Sequence, residues 1–435
     1  MKQHHLRTIL NEELHTRPFH DFEGTGRFIR FIYLLDSGDD ALFSGINAWL
    51  LSQGRPVITS DEKFRREGFD SFALRAERHS EFVTLSFITK DAKSKAGLPA
   101  KAFDLAANSH LPFSLIDQIE QPVFHAVWLE IGGKAPKSMT PDAVMAMLES
   151  RTSASSLISD GAGQVHFSFD CDDNGFSRAV LFNNNLSAER KGRLLLRMVE
   201  LETYRMLTLL GLPVVRAHSA ELGQIETELE QLTTAISTLI AEGSQHLGSL
   251  LPQLSRLAAQ VEKLSAETSF RLSATNAYQD VFYARMQRLN LSRLDGHQGL
   301  AGFLDRRMMP ALQTCKAFAA RLEGLSRRVE RTGSLLRTHT EYSIQKQNTD
   351  LLTSMNRRAQ AQLRLQQTVE GLSVIAGTYY GVGLVGVIAK LLPEEMTGNL
   401  SVDIIKAVSL PFVAVGISLI LRRGSHMVSR LSSKD

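Results

Sequence analysis

A polar stripe with helical spacing leads into an apolar segment near the end of this 435-residue sequence. Residues three or four positions apart share one face of a helix. If several copies of the chain placed this face around an axis, Glu370 would form a carboxylate ring that concentrates cations, with Asn356 and Gln366 below it. The alternative is that these groups form hydrogen bonds between helices or face solvent. The candidate pore-lining or inter-subunit residues are Asn356, Gln366, Glu370, Ser373, Gly377 and Gly381.

The last three of these residues form a ladder of small side chains. Ser373, Gly377 and Gly381 are four positions apart, and the two glycines make a G-x-x-x-G motif. Small residues at this spacing let two helix backbones approach closely in lipid. We therefore expect this face to contact another helix.

A partial calcium-loop motif occurs in the first half of the chain. Asp170-x-Asp172-x-Asn174-Gly175 matches the start of such a loop, but Leu181 stands at the twelfth position, where the loop has Glu. Asn-Gly between two apolar runs is also a strong signal for a β-hairpin. We favour the hairpin.

Histidine and glutamate residues are concentrated at the N-terminal end. Four histidines (positions 4, 5, 15 and 20) with Glu12 and Glu13 could supply metal ligands, but no H-E-x-x-H motif is present. A helix with a polar face is the favoured interpretation. The sequence also has no nucleophile elbow, P-loop or dinucleotide-binding fingerprint. We therefore expect no catalytic residue, no bound metal, no cofactor and no enzymatic activity.

The composition is that of an ordinary soluble protein, with 43% hydrophobic and 22% charged residues and a mean hydropathy of -0.09. It excludes a disordered chain, a collagen-like chain and a transporter with many spans. The net charge of +3 is too small to indicate a nucleic-acid partner. Two cysteines cannot build a disulfide framework and favour a reducing compartment.

Two apolar runs near the C-terminal end differ from this average, soluble-type composition. Residues 371–389 contain no charge, and residues 371–392 are long enough to cross a bilayer. Residues 407–421 form a second run, which reaches spanning length from position 404 if Lys406 is included. Buried core helices are the alternative for each. We predict two transmembrane helices.

The flanking charges predict their orientation. Arginines precede the first run and follow the second, whereas the link between them carries Glu394 and Glu395. Basic segments stay on the cytoplasmic side of a membrane. Both termini are therefore expected in the cytoplasm, with a short acidic loop outside. No apolar signal segment begins the chain.

The region before residue 213 is predicted as an α+β domain. Six apolar runs have the composition of strands, and their clustering favours α+β over a doubly wound sheet. The strand candidates are residues 28–35, 72–77, 82–89, 124–131, 165–170 and 177–182. Helices are predicted at residues 40–52, 141–149 and 187–210, and Thr140-Pro141 fits the start of the second.

From Pro213 onward the pattern is helical. Leucines and isoleucines recur at three- and four-residue intervals, as in helices packed side by side. After Pro310 no proline occurs until Pro393, so one stalk helix could continue into the first span. The predicted regions are 1–212 (α+β), 213–309 (helical coiled coil), 310–370 (stalk), 371–392 and 404–421 (spans), 393–403 (outer loop) and 422–435 (basic tail).

This layout resembles that of the CorA-type magnesium transporters, which are pentamers whose first spans line a pore. That family ends its first span with Gly-Met-Asn and has Pro-Glu shortly after. Here Gly386-Val387-Ile388 precedes Pro393-Glu394. Ile388 replaces the asparagine that the family uses to select a hydrated cation, so the chain lacks the family's filter.

A second resemblance, to an uncharacterised family of bacterial membrane-anchored proteins, extends over the whole chain. It rests on residues 10–19 (LNEELHTRPF), 273–287 (SATNAYQDVFYARMQ) and 365–380 (LQQTVEGLSVIAGTYY). This family implies a membrane anchor, in the inner membrane of a bacterium, but no chemistry.

Two functions are compatible with these patterns. The first is a homo-oligomeric inner-membrane protein, with a pentameric ring favoured, that conducts or gates a cation. The alternative is a membrane-anchored scaffold or sensor whose cytoplasmic domain binds a partner. The expected partners are other copies of the chain, the lipid bilayer and, for the first function, a cation.

Overall fold

The computed structural model describes residues 4, 7, 21–35, 40–60, 62–91, 96–99, 101–137, 139–242, 245–391 and 401–432. The chain divides into two compact units. The N-terminal unit comprises Met1–Ala235 and Pro252–Thr332, and the C-terminal unit comprises Ile236–Leu251 and Gly333–Asp435.

The N-terminal unit contains a nine-stranded sheet among its described residues, in the order β2-β3-β4-β1-β5-β8-β7-β6-β9. Neighbouring strands are antiparallel except β5 and β8, which are parallel. The strands are β1 (Thr25–Leu34), β2 (Phe64–Gly68), β3 (Ala73–Arg78), β4 (Phe82–Asp91), β5 (His125–Gly132), β6 (Ser153–Ile158), β7 (Gly163–Cys171), β8 (Phe176–Asn183) and β9 (Ser292–Arg293). A mixed, mainly antiparallel sheet confirms the α+β prediction for this region.

Eight α-helices lie in the described parts of the chain, with short 3₁₀ helices at Ala106–Asn108 and Gln245–Leu250. They are α1 (Asp40–Ser52), α2 (Phe113–Gln118), α3 (Pro141–Leu148), α4 (Ala188–Thr208), α5 (Gly211–Ala241), α6 (Leu251–Arg288), α7 (Leu300–Leu391) and α8 (Val402–Ser432). Thr140 caps α3 as predicted, since its hydroxyl accepts from the Ala143 N–H. Ser187 also caps α4, which was not predicted, by accepting from the Arg190 N–H.

Both faces of the sheet are covered, so alternate residues of the interior strand β1 enter different cores. Ile29, Phe31 and Tyr33 of β1 join one buried cluster with α1, α2 and α3. Phe28 joins the other cluster, with α4, α6 and the start of α7. This two-sided burial explains why apolar residues follow one another in β1, at 28–29 and 31–34, instead of alternating with polar ones.

The segment SATNAYQDVFYARMQ lies in α6, where its periodic residues are core residues. Phe282 is fully buried, and Thr275, Gln279 and Met286 are also buried. The predicted apolar residues of α5 and α6 are buried too, among them Leu222, Leu229, Leu257 and Leu264. An apolar face of each helix is therefore buried, while a supercoil between them stays a prediction.

The long helix begins earlier than predicted. It starts at Leu300 and passes through Pro310, where the sequence had indicated a boundary. The N-terminal part of α7 lies in the second core through Leu300, Phe303, Leu304 and Leu312. Packing on both sides of Pro310 outweighs the lost helical hydrogen bond.

Candidate functional site

Helices α7 and α8 are each long and apolar enough to cross a membrane. Their most apolar stretches are only 11% and 0% buried. The core helix of a soluble domain would hide such residues from water, and a large exposed apolar surface marks a site of contact with lipid or protein. The candidate functional site is therefore this helix pair, rather than a cleft with polar groups.

Three glycines of α7 face α8 of the same chain. A Cβ atom at Gly377 would come within 3.1 Å of Ile417, and one at Gly381 within 2.6 Å of Val413. Gly386, further along α7, lies against the side chain of Lys406. As α7 advances, its contacts move backward along α8, so the two helices are antiparallel.

The remaining face of the pair forms a groove of about 840 Å³. Its lining is mainly apolar and includes Ile375, Tyr379, Leu384 and Leu410. The hydroxyl of Thr378, which also lines it, donates to the carbonyl oxygen of Val374 at 2.7 Å. Such a groove fits a lipid acyl chain or an apolar helix better than a hydrated ion, since it has few groups to replace water.

The stretch of α7 before this pair is entirely exposed. Every residue from 344 to 369 is exposed, including the predicted site residues Asn356 and Gln366. The exposed residues also include large apolar side chains: Ile344, Leu351, Leu352, Met355, Leu363, Leu365 and Val369. In an isolated chain this surface would face water, so it is suited to contact with another helix.

A family model matches residues 2–428 of the chain, and its description is "Protein of unknown function (DUF3422)". The match covers nearly the whole sequence. The chain belongs to the DUF3422 family. No curated protein and no solved structure matches it. The resemblance to an uncharacterised family is thereby confirmed, while the CorA-like layout stays a prediction.

The predicted site residues of this DUF3422 chain lie in different surroundings. Gly377 and Gly381 have a partner within the chain, whereas Ser373 is exposed and its hydroxyl donates to the carbonyl oxygen of Val369 at 2.8 Å. Glu370 is half-buried. Glu394 and Glu395 lie outside the described residues, so the acidic outer loop stays a prediction.

The calcium-loop motif forms a hairpin, as favoured. Gly175 has a φ of +83°, which suits the turn between β7 and β8. The carboxylate of Asp172 accepts from the backbone N–H groups of Asn174 and Phe176 and from Arg178 Nε at 2.7 Å. The carboxylate oxygens of Asp172 that a calcium ion would need are therefore already engaged in hydrogen bonds with the protein.

The N-terminal histidine and glutamate group falls almost wholly outside the described residues, which include only His4 of its members. A different group could hold a metal ion: His218, Glu221 and Glu267 bring ligand atoms within 4.8 Å of one another. Glu267 also lies 3.8 Å from the Lys263 ammonium. All three side chains are accessible to water, which limits affinity, and the expectation of no metal stays a prediction.

Sequence reasoning missed the buried charges of the N-terminal unit. Glu77 Oε1 accepts from Arg30 Nη2 at 3.2 Å and from Arg75 Nε at 2.6 Å, and all three side chains are at most 4% exposed. Burial raises the pKa of Glu77, but the charges of Arg30 and Arg75 lower it by more, to about 2. The available signal was an arginine at every third position of two strand segments (GRFIRF and ALRAER), the second of which also contains the glutamate.

A buried histidine was also missed. His166 is fully buried between two strands, with Nδ1 2.7 Å from the Ser155 hydroxyl and Nε2 2.9 Å from the Gln164 amide. Burial, and then the nearby His297, lower the pKa of His166 to about 3. It is therefore neutral at physiological pH, and both ring nitrogens are engaged by neighbours, as in a structural hydrogen-bond network.

Proposed function

We propose that this DUF3422 protein is a membrane-anchored scaffold or sensor. In this proposal α7 and α8 cross the bacterial inner membrane as a hairpin with both ends in the cytoplasm. The N-terminal α+β unit is the working part. The observation that carries the proposal is the exposed apolar helix pair held together by Gly377 and Gly381.

The contacts of the small-residue ladder support an anchor over a pore. The ladder was a candidate for close approach between subunits, but its glycines already lie against Val413 and Ile417 of the same chain. Glu370 belongs to the same stripe of the sequence. A stripe directed toward a helix of its own chain is less available to line an axis shared by several copies.

Membrane integration can be tested with alkaline carbonate washing of membranes from cells that express the full chain. We expect the protein to stay in the pellet. Phe412→Arg places a charge on an exposed position of α8, which costs about 2.5–3.5 kcal/mol at the centre of a span and should reduce integration. Thr353→Arg, in the polar part of α7, is the control. Release of the unmodified chain by carbonate would contradict the proposal.

A second candidate, a ring-shaped oligomer that conducts a cation, is favoured by the exposed apolar residues between positions 344 and 369. A helix with such a surface is stabilised by neighbours, which other copies could provide. In that arrangement Glu370, Gln366 and Asn356 would line the cation path, with Glu394 and Glu395 at its outer mouth.

Ion flux into liposomes distinguishes the two candidates. A scaffold or sensor predicts that reconstituted protein gives no more flux than protein-free vesicles. A channel predicts flux that falls in the Glu370→Ala variant. A channel also predicts a closed ring in mild detergent, with five copies favoured, whereas the anchor proposal sets no fixed number.

A further inference from the structure

Three arginines form a row across the sheet, on the face that packs against α4. Arg66 of β2 is directly opposite Arg75 of β3, which is opposite Ser86 of β4, which in turn is opposite Arg30 of β1. Residues in register on neighbouring strands lie about 5 Å apart, and like charges directly opposite destabilise a sheet. The row therefore requires negative charge close by.

The negative charge of Glu77 offsets the positive charge at one end of this row. Its carboxylate is shared by Arg30 and Arg75. At the other end, Arg66 forms no ion pair with any residue that the structure describes. Arg66 is exposed as a whole residue, but partial desolvation of its guanidinium, and then the charge of Arg75, lower its pKa. The row thus carries an excess of positive charge at the Arg66 end.

A cavity of about 40 Å³ opens at this end of the row. Arg66, Arg75 and Lys90 contribute three cations to its lining, against one acid, Asp21. Phe28 and Leu195 are among its apolar walls. A single water needs roughly 10–15 Å³ of such space, so the cavity has room for one group of a few heavy atoms and not for a nucleotide.

We propose that this cavity binds a small oxyanion of the phosphate class. The guanidinium of Arg66 can donate two parallel hydrogen bonds to such a group, and Lys90 supplies a further point charge. The apolar walls lower the local dielectric constant and strengthen both contacts. The site belongs to the N-terminal unit and is independent of whether the helix pair crosses a membrane.

The test is isothermal titration of the purified full chain in detergent with inorganic phosphate, at constant ionic strength in chloride. We expect saturable binding to one site. Arg66→Gln should weaken it at least about tenfold, because it removes a charge-assisted contact, and Lys90→Gln should weaken it as well. Arg151→Gln, which removes an exposed charge elsewhere in the same unit, is the matched control and should bind like the unmodified chain.

Arg66 and Lys90 are both exposed, so these substitutions should leave the fold intact, which near-ultraviolet circular dichroism can verify. Acetate is the second titrant and should bind more weakly, since it has two oxygens in place of four. The proposal is overturned if phosphate binding does not saturate, or if Arg66→Gln and Arg151→Gln bind phosphate equally. Acetate binding as tight as phosphate binding would overturn it too.

Discussion

Gly381 of α7 lies so close to Val413 of α8 that a Cβ atom at position 381 would come within 2.6 Å of the valine Cγ1 atom. Carbon atoms pack at about 3.5–4.0 Å, so the absence of a side chain is what permits this contact. Gly383, two residues further along α7, has no atom within 4 Å of the corresponding position. The two glycines form a matched pair for mutation.

Gly381→Leu should destabilise the helix pair, whereas Gly383→Leu should have little effect on it. Overpacking a close contact typically costs 1–3 kcal/mol, and α7 and α8 would have to separate to admit the larger side chain. Thermal unfolding of the two variants in mild detergent measures the difference. Equal midpoints for both variants would show that α7 and α8 do not pack through this face.

The spacing of the small residues predicted a close contact but not its partner. A four-residue repeat defines one face of a helix, and any helix of suitable shape can lie against it. Only the structure matches Gly377 with Ile417 and Gly381 with Val413. The same limit applies to the arginine row, because Arg66 and Arg75 become neighbours through strand register, which the sequence does not fix.

The strands that were predicted and those that were missed differ in composition. The six predicted strands are apolar and lie within two residues of the observed ones at most of their ends. The missed strands are charged (FRREG in β2), small and polar (SASSLI in β6) or two residues long (β9). These strands form because a neighbouring strand offers an open edge for pairing, and the local sequence does not indicate that edge.

Glu77→Gln should strongly destabilise the N-terminal unit. It removes the carboxylate that Arg30 and Arg75 share while keeping the side-chain shape, and breaking a buried ion pair costs about 3–5 kcal/mol. Glu62→Gln is the control, since the ion pair of Glu62 with Arg65 is partly exposed and should contribute less than about 1 kcal/mol. Urea denaturation of each variant compares the two. Similar losses would mean that the buried carboxylate is not essential.

His166 should make the stability of the N-terminal unit fall in mild acid. Its pKa is about 3 in the folded chain and roughly 6.5 when unfolded, so the unfolded state binds a proton first. The contribution of neutral His166 is complete above pH 6.5 and is lost as the pH falls toward 3, by up to about 1.4 kcal/mol per pH unit. Urea midpoints measured between pH 7 and pH 5 should decline, and His166→Gln should flatten that decline. His110→Gln, at an exposed position, is the control and should not change the decline. If His166→Gln leaves the decline of the urea midpoint with pH unchanged, His166 is not its cause.

The exposed apolar residues of α7 should mediate self-association. Leu363→Asn places a polar group among the exposed apolar residues between positions 344 and 369 and should reduce the particle mass in mild detergent, because polar residues weaken apolar helix contacts. Ala361→Asn changes an exposed neighbour that is not one of these large apolar side chains and should leave the mass unchanged. Light scattering with size exclusion measures both. A monomeric unmodified chain would show that this surface has another partner.

Cysteine labelling in spheroplasts can show whether α7 and α8 form a two-helix anchor with both ends in the cytoplasm. Cys171 and Cys315 are first replaced by Ala, and single variants Thr353→Cys, Glu395→Cys and Ser429→Cys are treated with a membrane-impermeant maleimide. We expect that only Glu395→Cys is labelled before lysis and that the other two variants are labelled after it. Labelling of Thr353→Cys or Ser429→Cys in intact spheroplasts, or protection of Glu395→Cys, would contradict it.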